Sequence, residues 1–260
     1  MTALATRMSL KRLKRKKQRK TVMSQSPENP DLMRRYVITS IAAAFLTLKA
    51  RPVQALIETS KKYETRTDVQ AWAQEIATRY GLNPSNILAT LAKARHVKTS
   101  VRLLAKSASE SDRVRDWRLY RQKFLTDERI KKGAKFMRRY AKWLEYAEEH
   151  WGIPSSILTA VLGIETLYGQ SIGRFRALDV LTTLSFDHER RSAFFREELA
   201  AYLALCDKGH FNPVTQRASY AGAIGMPQFM PTNILKYGVD LDGDGKPDLI
   251  HSAADAIAST

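Results

Sequence analysis

The chain has a single cysteine, Cys206, among its 260 residues. No disulfide can therefore form within it, and no cysteine-rich zinc cluster can be assembled. Attachment of a lipid through a cysteine near the N-terminus is excluded in the same way. Cys206 falls in the helical pattern FFREELAAYLALC and reads as a small buried apolar side chain with no chemistry of its own. The apolar run from Tyr36 to Leu48 is shorter than the roughly 20 residues needed to cross a bilayer as a helix. No alternating strand pattern of useful length precedes Tyr220, and there is no phosphate-binding glycine loop, no serine–histidine pair in a recognisable context and no internal repeat.

Charge is abundant and unevenly spread. The net charge is +17, but residues 1–55 carry 13 Lys and Arg against 2 acids, while residues 56–260 carry 30 against 24. The excess is thus +11 at the front and +6 in the body. A mildly basic body suits an acidic polymer without requiring nucleic acid. From Lys11 to Lys20 only Leu13 and Gln18 are uncharged, so residues 1–32 are expected to form a basic, disordered extension. Arg34 and Arg35 precede the apolar run, and Val53-Gln54-Ala55 follows it with small residues where a signal peptidase reads. Residues 33–55 are therefore expected to be a signal peptide, or an uncleaved signal anchor, which implies export.

Downstream the pattern is helical. With 44% hydrophobic residues, the body has the means to build a core. Helices are expected over Asp68–Tyr80, Pro84–Lys98 and Asp127–His150, the last with Phe136, Tyr140, Trp143, Leu144 and Ala147 as its inward stripe. Asp116 to Arg121 reads as a less regular connection. Residues 56–145 are taken as an α domain and 146–260 as a second, catalytic unit.

The segment Trp151 to Gly169, WGIPSSILTAVLGIETLYG, places one carboxylate in an otherwise apolar helix. Three, four and seven residues from Glu165 lie Leu158, Val161, Leu162, Tyr168 and Gly169. These positions share its face. The segment holds no Lys or Arg. A carboxyl desolvated without a cation is expected to titrate high and stay protonated near neutral pH, as a general acid must. The competing reading is a structural ion pair with an Arg from elsewhere. No second acid is expected to be embedded in this way: Asp179 and Asp187 read as helix starters, and Glu189 stands among charges.

Further along, Arg190 and Arg191 stand where a helix to about Asp207 begins. Being about 100° apart, they could offer two guanidinium forks to a carboxylate-bearing ligand. Gly222, Gly225 and Pro227 mark a bending, closely approaching backbone. With Tyr220, Met226, Phe229 and Met230 that stretch has the makings of a groove wall, and Ser219 and Gln228 supply polar points. Asp240, Asp242, Asp244 and Asp248 stand at positions 1, 3, 5 and 9 of a loop with Gly245 at position 6, the pattern of a calcium-binding loop. Position 12 is His251, so the closing ligand is expected from elsewhere, with Asp255 the nearest acid.

The ordered motifs GIETLYG, LTTLSF, ERRSAFF, SYAGAIGMPQFMP and DLDGDG resemble those of the membrane-bound lytic murein transglycosylase B family, from about Asp68 onward. The resemblance implies a mainly α fold, a lysozyme-like helical core with an additional α domain and an EF-hand-like loop. It implies non-hydrolytic cleavage of peptidoglycan with Glu165 as the sole catalytic acid and base. It further implies groove residues at Tyr120, Ser219 and Gln228, peptide-contacting arginines at Arg190 and Arg191, and a structural calcium ion held by Asp240, Asp242, Asp244, the Lys246 carbonyl and Asp255.

The expected partners are peptidoglycan strands and other cell-wall enzymes in the periplasm, with no nucleic acid, and with membrane contact only if the leader is uncleaved. The family continues beyond the position of Thr260, so the catalytic core is expected to be truncated and less active and less stable than an extended version. Two rivals stand beside this reading. One is a hydrolytic lysozyme, which needs a second carboxylate. The other is a peptidoglycan-binding scaffold without turnover.

Overall fold

The computed structural model describes residues 62–110, 116–188 and 190–260, apart from the side chains of residues 107–110 and Tyr120. The expected basic extension and the segment 33–55 lie outside the described residues. Helix ends fall where the sequence offers caps. Helix α1, Thr67–Tyr80, stops at Gly81, whose left-handed φ of 68° a side chain would resist. The Asn83 side chain accepts the N–H groups of Ser85 and Asn86, and Pro84 opens α2, Pro84–Leu91.

This second helix ends before Lys98 because two of the following N–H groups are taken by side chains. Arg95 donates to Asp179 at 2.8 Å and Val97 to Thr183 at 3.0 Å. Helix α3 is Lys98–Glu110. The stretch at Asp116 is more regular than expected: its carboxylate caps α4, Trp117–Phe124, by accepting from the Arg118 N–H. Residues 127–150 form two helices, α5, Asp127–Arg139, and α6, Ala141–Trp151, separated by Tyr140 at φ −114° and ψ 23°. The expected inward stripe holds, with Phe136, Leu144 and Ala147 buried and Tyr140 and Trp143 packed against them.

Helix α7, Ser155–Thr166, carries Glu165 in its last turn and is shorter than the apolar segment around it. The two-residue strands β1, Phe175–Arg176, and β2, Arg217–Ala218, pair antiparallel. Between and beyond them come α8, Ala177–Phe186, α9, Ser192–Asp207, α10, Pro231–Tyr237, and α11, Ala253–Ser259. Every residue of α8 is buried, which makes it the internal helix around which the others pack. Asp187, expected as a helix starter, instead follows the end of α8. There it accepts from the Tyr63 hydroxyl (2.6 Å) and Arg66 (2.9 Å) and bonds His96 (2.9 Å), fastening the first described residues to the interior.

Two apolar clusters result. The larger joins α1, α2 and α3 to α8, α9 and α10. The smaller gathers Phe136, Leu144, Ala147, Leu158, Leu162, Met226, Ala256 and Ile257, and it surrounds the helix of Glu165. Within it the Tyr168 ring is the spacer between α5 and α7. A Cβ added at Gly133 or at Gly163 would stand 2.5 Å from the Tyr168 hydroxyl, which itself donates to the Arg129 carbonyl at 3.2 Å.

Gly163→Ala therefore sets two effects against each other. Alanine favours a helix interior by about 1 kcal/mol, but the methyl must displace a ring held on its far side by Gly133, and overpacking of this kind costs about 1–3 kcal/mol. A net loss of stability is expected, read as a lower denaturation midpoint in urea; a rise would show that Tyr168 is free to move aside.

Candidate active site

Among the described residues five acids are strongly shielded from water: Glu165, Asp179, Asp187, Glu198 and Asp255. Four of them have partners. Asp179 pairs with Arg176 and takes the Arg95 N–H. Asp187 has the three contacts given above. Glu198 accepts the N–H and hydroxyl of Thr232 at 2.9 and 2.8 Å, and so caps α10. Asp255, wholly buried, takes the N–H groups of Leu241 (2.7 Å), Asp242 (3.3 Å) and Asp248 (2.8 Å).

Glu165 differs. It is 9% exposed, and its Oε2 is buried with no hydrogen-bond partner. Burial pushes the carboxyl up to about 7, and no neighbouring charge opposes it. Among the described residues no lysine or arginine forms an ion pair with it, so the competing reading of a structural ion pair gains no support. Glu198, 2% exposed, is a second embedded acid where none is expected from the sequence, and Phe194, Phe195, Ala201 and Tyr202 surround it on its helix. Burial raises its carboxyl too, with Thr232 pulling the other way.

The backbone around Glu165 is strained. Leu167 and Tyr168, directly after α7, have left-handed φ values of 52° and 62°, a region costly for residues with a side chain. Gln228, in the facing turn, has φ 53°. No other non-glycine among the described residues has positive φ. That turn is closed by paired backbone bonds between Ile224 and Phe229. Gly225, φ 77°, lies so close to Leu249 that a Cβ there would meet its carbonyl oxygen at 2.6 Å.

Ser219 and Gln228 belong to this same loop. The Ser219 Oγ accepts from Ala221 and Ala223 N–H at 3.3 and 3.0 Å, leaving its proton to offer. The Gln228 amide nitrogen donates to the carbonyls of Gly225 (3.0 Å) and Ile172 (3.3 Å), so the loop is tied to the chain that leaves α7. Arg190 and Arg191 stand exposed at the turn into α9. The Arg191 guanidinium lies over Phe194, 4.6 Å from its centroid. Tyr120 is in α4, and its side chain lies outside the described residues.

In the acidic loop, carboxylate oxygens of Asp240, Asp242 and Asp244 lie within 4.8 Å of one another and are exposed. Gly243 and Gly245 adopt φ 80° and 102° with open space about them. Asp240 receives the N–H groups of Gly243, Asp244 and Gly245, and the Lys246 N–H donates to Asp244. Three convergent carboxylates in a turn could hold a hard cation. Asp255, expected as the closing ligand, accepts the N–H groups of Leu241 and Asp242 on one oxygen and that of Asp248 on the other, and so holds both ends of the acidic turn.

The family profile described as transglycosylase SLT domain matches residues 64–260. The chain belongs to this family. Membrane-bound lytic murein transglycosylase B of Escherichia coli is 29% identical to it over 215 residues, which are 80% of this chain and 59% of that protein. Catenated lytic transglycosylase SltB1 from Pseudomonas aeruginosa superposes with a TM-score of 0.72 at 34% identity, covering 76% of this chain and 64% of the other. The Escherichia coli lytic transglycosylase Slt35 in complex with calcium gives a TM-score of 0.70 at 29% identity, covering 81% and 66%. The chain thus spans about three fifths of the length of the murein transglycosylase it matches. The fold is that of the lytic transglycosylases, lysozyme-like and mainly α.

The protonation of Glu165 has a thermodynamic signature. An unfolded glutamate titrates near 4.5 and the folded one near 7, so the native state binds the extra proton between these values. Stability is unaffected below about pH 4.5 and falls as pH rises toward and past 7, by about 3 kcal/mol in all. Glu165→Gln is expected to remove that loss. Its stability advantage over the wild type should be small at pH 4 and grow to its full size by pH 8, measured by urea unfolding across pH. A gap independent of pH would contradict the raised titration.

Proposed function

We propose that the chain is a peptidoglycan lytic transglycosylase that cleaves the β-1,4 bond between N-acetylmuramic acid and N-acetylglucosamine, with Glu165 as acid and then base. The observation that carries this reading is the buried, unpartnered oxygen of Glu165, raised to about 7 by desolvation alone. Protonated Glu165 donates to the glycosidic oxygen as the bond to C1 of the muramic sugar breaks. The carboxylate left behind accepts the proton of that sugar's own 6-hydroxyl as its oxygen closes on C1. The product is a 1,6-anhydro sugar, and the proton count balances without water. A hydrolytic pair of carboxylates gains no support from Glu198, whose oxygens are engaged by Thr232.

Ser219 and Gln228, on the loop beside the end of α7, and Tyr120 on α4 are proposed to hold the glycan. The exposed guanidinium groups of Arg190 and Arg191 suit the carboxylates of stem peptides. The acidic loop is proposed to take a calcium ion through Asp240, Asp242, Asp244, the Lys246 carbonyl and Asp255, as a structural element remote from the proton transfers. Such a ion would neutralise the mutual repulsion of the loop. Peptidoglycan as substrate places the proposed site of action in the periplasm. No helix among the described residues is long and apolar enough to cross a membrane.

Glu165→Gln keeps the shape of the side chain but cannot move a proton, so release of anhydro-muropeptides should fall about 100-fold to 10,000-fold. Mass spectrometry of digested peptidoglycan is the decisive assay, because an anhydro end and a hydrolysed end differ by one water. A variant retaining more than about a tenth of wild-type release would remove Glu165 from the role, and hydrolysed ends would replace the proposed reaction with that of a lysozyme.

Calcium is expected to stabilise the fold by about 2.7 kcal/mol at a hundred times its dissociation constant. Melting temperatures that coincide in chelator and in excess calcium would exclude a structural ion at this loop.

A further inference from the structure

Thr166 follows Glu165 directly and is 1% exposed. Its hydroxyl donates to the Met226 carbonyl at 2.8 Å and accepts the Gly169 N–H at 2.9 Å. The Leu162 carbonyl, one turn back in α7, is 3.4 Å away. A hydroxyl has one proton, and the shorter bond directs it out of its own helix to the facing turn. From these contacts we infer that Thr166 is the positioning residue that keeps Glu165 in its dry setting, through a bond between the end of α7 and the turn at Gly225–Gln228. The inference rests on the reading of Glu165 as the acid.

The physical case is that last helical turns fray, because their carbonyls have no partners within the helix. Glu165 is the penultimate residue of α7, so a frayed turn would carry it into water. The residues next to the clasp favour such a release, since Leu167, Tyr168 and Gln228 all hold left-handed conformations that persist only where surrounding contacts enforce them. Met226 is itself fixed, its N–H donating to the Leu249 carbonyl at 2.8 Å. Its side chain lies against Gly169, where an added Cβ would meet it at 3.2 Å. The Thr166 hydroxyl thus ties the frayable element to an anchored one. Burial is the cause of the raised Glu165 carboxyl, so admission of water would return it toward the ordinary range.

Thr166→Val keeps the shape and removes the hydroxyl, leaving the buried Met226 carbonyl and the part-buried Gly169 N–H unmatched. Turnover should fall about 10-fold to 100-fold with little change in KM, the scale of loss from a small misplacement of a catalytic group. The pH–rate profile should also move, with the limb belonging to Glu165 shifted to lower pH. Thr166→Ser should restore both rate and profile. If Thr166→Val does not fold, Thr166→Cys, with a weaker donor of similar size, should show the same two changes at smaller amplitude.

A folded Thr166→Val or Thr166→Cys with the wild-type rate and pH profile would overturn the inference. So would equal impairment in Thr166→Ser, which would make the methyl group, and not the bond, the contribution. The underlying reading fails separately, through an active Glu165→Gln. An inactive Glu165→Gln beside an unchanged Thr166→Val would leave that reading standing and discard only the role of Thr166.

Discussion

The structure is organised by the cost of keeping one carboxyl out of water without a partner. Apolar burial of a polar group is unfavourable unless something compensates it, and at Glu165 the compensation is the proton that it retains. Everything close to it serves exclusion of water. The smaller apolar cluster encloses α7 with side chains from α5, α6 and α11. The helix terminates one residue later in a backbone form that Leu167 and Tyr168 adopt only under restraint. The facing turn presents a carbonyl, not a cation, to the site. An arginine in that position would hold the acid as an ion pair, the arrangement that Arg66 and Arg176 make with Asp187 and Asp179 elsewhere in the chain.

Local signals in the sequence reported local structure well. The break at Gly81 to Pro84, the inward stripe of residues 136–147 and the apolar surroundings of Glu165 all follow from spacing along one helix. What stayed hidden depends on partners far away in the chain. The end of α2 at Leu91 is set by Asp179 and Thr183, more than eighty residues on. Glu198 has the same kind of helical neighbours as Glu165, and only Thr232 tells the two apart. The apolar segment gave the position of the acid but not the end of its helix, because Leu and Tyr carry no sign that they will turn left-handed. Asp255 illustrates the same limit, since spacing shows an acid near a loop but not which of its oxygens are already engaged.

The loop from Ser219 to Phe229 and the acidic loop are turns, the kind of segment that moves most readily. Here both are held through the backbone. Met226 bonds to Leu249 on one side and to Thr166 on the other, while Asp255 gathers three N–H groups at the entrance and exit of the acidic turn. Main-chain anchoring leaves the side chains of Ser219, Gln228 and the aspartates with unused capacity toward a ligand, which is the usual economy of a site built on rigid elements.

The Tyr168 ring, slotted between Gly133 and Gly163, makes three positions on two helices and a turn into a single unit of variation. A side chain at either glycine and a ring at position 168 compete for one volume, so the effect of changing any of them depends on what occupies the other two. A drifting sequence can enlarge one partner only after another has shrunk. The helix of Glu165 thus inherits, through the ring of Tyr168, a constraint written on a helix some thirty residues earlier.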